Sequence, residues 1–86
     1  MKIECIKVGT LQENCYIISI DADVLIIDPG DEASRISDLV GSRNVLGILV
    51  THSHFDHIGA LDELKSIYKC DVYKYGVINI GENTIG

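Results

Sequence analysis

Val24-Leu25-Ile26-Ile27 and Val45 to Val50 are two runs without a single polar side chain, and they constrain the fold more than any other feature. Both fall far short of the roughly 20 residues that cross a membrane as a helix. Apolar runs of this length, bounded by turn residues, read as strands buried on both faces. A sheet built around them needs other elements packed on it, and the flanking sequence supplies them.

Ile3-Glu4-Cys5-Ile6-Lys7-Val8 alternates apolar and polar residues, which predicts a strand with one face in water. Gly9 to Asn14 is a polar loop, and Cys15 to Ile20 is a second β-rich run. Asp21-Ala22-Asp23 reads as a tight turn, so this run and Val24–Ile27 form a hairpin. Asp28-Pro29-Gly30-Asp31 ends the strand, with Asp31 the expected N-cap of a helix. Ala33, Ile36, Leu39 and Val40 then recur at helical spacing until Gly41 stops them. Beyond Val45–Val50 and the loop Thr51–Asp56, a second helix carries the stripe Ile58, Leu61, Leu64, Ile67 and Tyr68. Asp71 to Tyr75 returns to strand, and Val77–Ile80 with Asn83–Ile85 suggests a short hairpin. The order β-β-β-α-β-α-β describes an α/β fold, a mixed sheet with helices laid on it.

The chain has 86 residues, which allows one domain at most. Hydrophobic residues make up 47% of it, enough to argue for a packed core and against disorder. A core-rich chain this short is expected either to associate or to be part of something larger. Seven basic and thirteen acidic residues give a net charge of −6, which argues against a nucleic-acid surface. No run is long enough to span a membrane, and Glu4 interrupts the place where a signal peptide would be apolar. Cys5, Cys15 and Cys70 are odd in number and show no CxxC spacing, so a reduced, cytoplasmic setting is expected.

All three histidines sit within Thr51-His52-Ser53-His54-Phe55-Asp56-His57, after a buried strand and before a helix. Ligands of open α/β sheets bind just beyond the carboxyl ends of strands, so this is where chemistry is expected. In extended chain, side chains two apart point the same way, about 6.6 Å apart at Cα. His52 and His54 can therefore grip one metal ion from one side, while Asp56 and His57 diverge toward a second. A single histidine at a helix start is commonly a cap or a solvated side chain, and Asp56 alone would be an N-cap. Three imidazoles and a carboxylate interleaved at this spacing have no packing rationale, and they are ordinary ligands for zinc and other first-row metals.

Thr51-His52-Ser53-His54-Phe55-Asp56-His57-Ile58-Gly59 resembles the HxHxDH signature of the metallo-β-lactamase superfamily, and in particular its glyoxalase II-like hydrolases. Glu13-Asn14-Cys15-Tyr16 and Val24 to Asp31 extend the resemblance upstream. It implies an αββα sandwich, of which residues 1–86 would be the N-terminal βα half, a single partial domain with helices on one face of a mixed sheet. Residues 76–86 resemble the hairpin that opens the second half. The resemblance further implies that His52 and His54 bind a first metal, and Asp56 and His57 a second. Asp56 would lie close to the reactive water and so be the catalytic candidate. Asp28 would hold a ligand imidazole in its tautomer and orientation rather than bind metal itself. The implied chemistry is hydrolysis of an ester or thioester of a small molecule, by water that two zinc ions acidify, with iron or manganese as alternatives.

The family's complete site uses a further His, a bridging Asp and a last His, and no His follows His57 here. Cys70 could offer a thiolate, but a free Cys is more often a small core residue. The expectation is a metal-dependent hydrolase represented by its first half, with partial or no activity alone. The alternative is a non-catalytic metal-binding module that self-associates. In either case a homo-oligomer, or docking with a complementary half-domain, is expected.

Overall fold

The computed structural model describes residues 1–51 and 60–74, together with the backbone of residue 59, of 78–80 and of 83–85. Its elements are β1 (Lys2–Val8), β2 (Glu13–Ile20), β3 (Asp23–Ile27), α1 (Ala33–Val40), β4 (Asn44–Val50), α2 (Gly59–Tyr68), β5 (Asp71–Lys74), β6 (Ile78–Ile80) and β7 (Asn83–Ile85). The order of the first seven is the predicted one. Strands β1 to β5 form one sheet in sequence order. The β1–β2 and β2–β3 pairs are antiparallel, whereas β3–β4 and β4–β5 are parallel and joined through α1 and α2. β6 and β7 make the expected antiparallel hairpin, with Ile78 opposite Ile85.

Alternation along the strands sorts the core into two layers. Val8, Cys15, Ile17, Val24, Ile26, Val45 and Ile48 pack with Ala33, Ile36 and Val40 of α1 and with Ala60 and Leu64 of α2. Both helices therefore lie on one face of the mixed sheet, as expected. Burying a side chain such as Ile36 contributes about 1.5–3 kcal/mol, so this layer is the main source of stability. The opposite face carries Ile18 and Ile27, with Ile3, Tyr16, Leu25 and Leu49 packed around them, and no described helix residue joins that cluster.

Four details depart from the sequence reading. The N-cap of α1 is Glu32 in the left-handed region (φ 56°), and Asp31 instead accepts the Glu32 N–H at 2.7 Å. In α2 Leu61, Leu64 and Tyr68 pack in the core as expected, but Ala60 joins them and Ile67 is 51% exposed. Tyr68 also donates its hydroxyl to Ser37 Oγ at 3.0 Å. Leu46 interrupts the run expected to be buried throughout. The register steps from Val24–Val45 to Leu25–Gly47, so Leu46 is bulged out and exposed. Glu4 does not face water on an open side. It pairs with Arg43 at 2.9 Å, and Arg43 also donates to the carbonyls of Leu39 and Val40 at the end of α1. A cation there satisfies orphan carbonyls and suits the helix dipole. Ile58 and Tyr75, assigned to the second helix and the last sheet strand, lie outside the described residues.

Candidate metal centre

Parallel pairing of β3 with β4 makes both strands end at the same edge of the sheet, with Ile27 beside Leu49. Asp28 and Thr51 therefore leave the sheet as neighbours, although 23 positions separate them in sequence. Asp28 takes a left-handed conformation (φ 57°) and donates its backbone N–H to the Leu49 carbonyl at 2.9 Å. Its side chain, 5% exposed, accepts the Thr51 N–H at 2.7 Å through Oδ1, and the Thr51 hydroxyl through Oδ2. Short polar side chains tolerate this backbone region because they can bond locally. A strained, buried carboxylate at a strand end is the kind of feature that clusters at functional sites.

More carboxylates converge on the turn that follows. Gly30 donates its N–H to the Asp28 carbonyl at 2.9 Å. Glu13, at the start of β2, lays its carboxylate on Gly30 so closely that a Cβ there would meet Oε2. Gly30 thus gives room for the close approach of a carboxylate, and its backbone angles do not demand glycine. Beneath them Cys15 is fully buried and free. Burial, then the charges of Asp28, Glu13 and Cys5, push its thiol up from 9.0 to about 12. Such a thiol is protonated and inert at neutral pH, which fits a core residue rather than a ligand.

His52, His54, Asp56 and His57 lie outside the described residues. Their attachment is described on both sides: Thr51, held by Asp28, precedes them, and α2 begins at Gly59 after them. The donor set, three imidazoles and a carboxylate, is chemically fit for zinc, iron or manganese. Among the described residues no group of three potential ligands comes together. Among the described residues Asp28 is bonded to Thr51, the residue next to His52. Thr51 and Glu13 were not singled out by sequence reasoning. The signal for each was adjacency: Thr51 precedes the first histidine, and Glu13 opens the Glu13-Asn14-Cys15-Tyr16 segment.

Comparison with known proteins follows the same lines. The chain is 43% identical over 75 residues to a probable metallo-hydrolase, YqgX, of Bacillus subtilis (strain 168), covering 85% of this chain and 36% of that protein. It is 38% identical over 76 residues to hydroxyacylglutathione hydrolase GloC of Haemophilus influenzae, again with 85% and 36% covered. Among solved structures, TTHA1623 in a di-iron-bound form superposes with a TM-score of 0.70 at 38% identity, covering 81% of this chain and 36% of that one. The chain thus spans about a third of the length of the relatives it matches. No described helix is long and apolar enough to cross a membrane. The metallo-beta-lactamase superfamily model matches residues 8–79, and the chain belongs to that superfamily.

Proposed function

We propose that residues 1–86 form the first metal-binding half of a metal-dependent hydrolase that cleaves esters or thioesters of small molecules. The observation that carries this reading is the Asp28 carboxylate locked onto both the N–H and the hydroxyl of Thr51, the residue from which the histidine-rich segment departs. In this reading His52 and His54 hold one metal, Asp56 and His57 hold another, and Asp56 faces the reacting water. When bound, the metals supply Lewis acidity and lower the pKa of water toward neutrality. The residues of the chain itself do the positioning. Asp28 restrains the start of the ligand segment, so that less ordering is left for the moment of binding. Similarity to GloC, named as a hydroxyacylglutathione hydrolase, supports a small thioester as substrate. Zinc or iron is supported by a relative described as a probable zinc-dependent hydrolase and by the di-iron form of TTHA1623.

The second reading is a non-catalytic metal-binding module that associates with a second copy or a complementary half-domain. It is favoured by the apolar layer around Ile18 and Ile27, which no described helix residue joins. A panel of thioesters and phosphodiesters, assayed with and without chelator, separates the two. Chelator-sensitive thioester cleavage supports the hydrolase, and stoichiometric metal without turnover supports the module.

A further inference from the structure

The turn that carries Asp28 is buried along its length: Asp28, Pro29 and Gly30, which follow β3, are all buried. Connecting segments usually run over the surface, where water serves their backbone groups. A buried turn has to satisfy those groups from within the protein. The Gly30 N–H does so by donating to the Asp28 carbonyl at 2.9 Å, which closes a three-residue turn centred on Pro29. The proline ring fixes φ near −65°, close to the value such a turn needs. Asp28 enters the turn in the left-handed region, and residues held there persist only where their surroundings over-determine them.

Thr51 is one of those surroundings, since it donates to the Asp28 carboxylate from the end of β4. Glu13 is the other. Its carboxylate lies over Gly30, with Cδ 2.7 Å and Oε1 3.0 Å from the place a Cβ would take. The backbone of Glu13 is itself held in the sheet, where it pairs with Val8 of β1. The antiparallel register that sets Tyr16 opposite Ile27 carries the start of β2 to the turn after β3. Glu13 is thus a side chain on a fixed strand that backs the far end of the turn. A second observation places it beside Asp28: the charges of both carboxylates push up the thiol of Cys15, so all three groups share one neighbourhood.

We infer that Glu13 is a positioning residue, which backs the Asp28–Pro29–Gly30 turn and through it fixes the grip of Asp28 on Thr51. Its effect on metal binding rests on the metal-dependent reading proposed above; the mechanical link from Glu13 to Thr51 does not.

The test reads amide exchange of the 86-residue protein without metal, and its zinc affinity by competition with a chelating dye. Glu13→Ala should raise exchange roughly tenfold at the Gly30 and Thr51 amides, both of which donate to Asp28. Two amides serve as controls and should not change: Ile48 in β4, and Gln12, whose N–H donates to the Gly9 carbonyl just before Glu13. Glu13→Gln, which keeps the shape and one acceptor oxygen, should retain most of the protection. Unchanged exchange at Thr51 would overturn the link. Equal acceleration at Gln12 or Ile48 overturns it as well, because the substitution then only frays β2 or loosens the whole fold. Zinc affinity should fall by about tenfold in Glu13→Ala and be restored in Glu13→Gln. Faster Thr51 exchange with unaltered zinc affinity removes Glu13 from the metal centre's support. An unsubstituted chain that takes up no zinc counts against the metal-dependent reading, while the exchange result decides the link on its own.

Discussion

Asp28 grips Thr51 twice, by its N–H at 2.7 Å and by its hydroxyl, across the ends of two parallel strands. Both bonds end on a buried charged acceptor, so each contributes about 1.5–3 kcal/mol. Asp28→Ala should therefore be strongly destabilising, by about 3 kcal/mol or more in urea unfolding. Asp28→Asn should lose less, because Asn tolerates the left-handed backbone and keeps one acceptor. If Asp28 also orders the ligand segment, Asp28→Asn should weaken metal affinity by about 10–100-fold, measured by competition with a chelating dye.

Substituting the metal-ligand candidates tests the centre directly. His52→Ala and Asp56→Ala should each lower the metal content of purified protein without shifting the urea midpoint of the metal-free form. Metal stoichiometry equal to that of the unsubstituted chain would remove these residues from the site. Metal binding should also weaken as the pH falls below about 6.5, where imidazole takes up a proton.

The contact of Glu13 with Gly30 makes a prediction about coupling. Gly30→Ala places a methyl group against Glu13 Oε2, so the carboxylate must move aside. The expected loss is at most about 1 kcal/mol, at the low end of overpacking, because what must give way is the far end of a flexible side chain. Glu13→Ala should relieve it, so the double variant should be more stable than the two single losses added together predict. Simple additivity in thermal unfolding would mean that the two residues do not touch in solution.

Cys15 sets a limit at alkaline pH. Its thiol is raised from 9.0 to about 12 in the folded chain, chiefly by burial. Above the unfolded value the unfolded chain loses this proton while the folded chain keeps it. Stability is thus fully present below about pH 9 and falls by up to about 1.4 kcal/mol per pH unit as the pH rises toward 12. Cys15→Ala should flatten that slope, even though the cavity it leaves lowers stability at every pH. Under native conditions at neutral pH, iodoacetamide should modify exposed Cys5 and spare Cys15.

Much of this architecture is local and could be read residue by residue. The period of Ala33, Ile36 and Val40 and the stop at Gly41 appear in α1 as expected. The Asp21–Ala22 turn joins β2 to β3, and Asp21 takes the left-handed angle such a turn uses. The bulge at Leu46 was not legible, because a leucine inside an apolar run carries no mark of which way it points. The exposure of Ile67 in α2 was hidden for a related reason. Leu61, Leu64 and Tyr68 of the expected stripe pack in the core together with Ala60, and only packing against α1 and the sheet decides that Ile67 does not.

By itself the sequence determined the order of elements, the two buried strands and the concentration of histidines between a strand and a helix. Those properties follow from periodicity, turn chemistry and side-chain type, all of which act within a few residues of chain. The tertiary structure alone decided that Asp28 meets Thr51, that Glu13 covers Gly30 and that Glu32 reaches Gly9. Each of those meetings joins segments 17 or 23 positions apart. They exist because parallel and antiparallel pairing bring the ends of β2, β3 and β4 to one edge of the sheet, and strand register is a property of the whole fold.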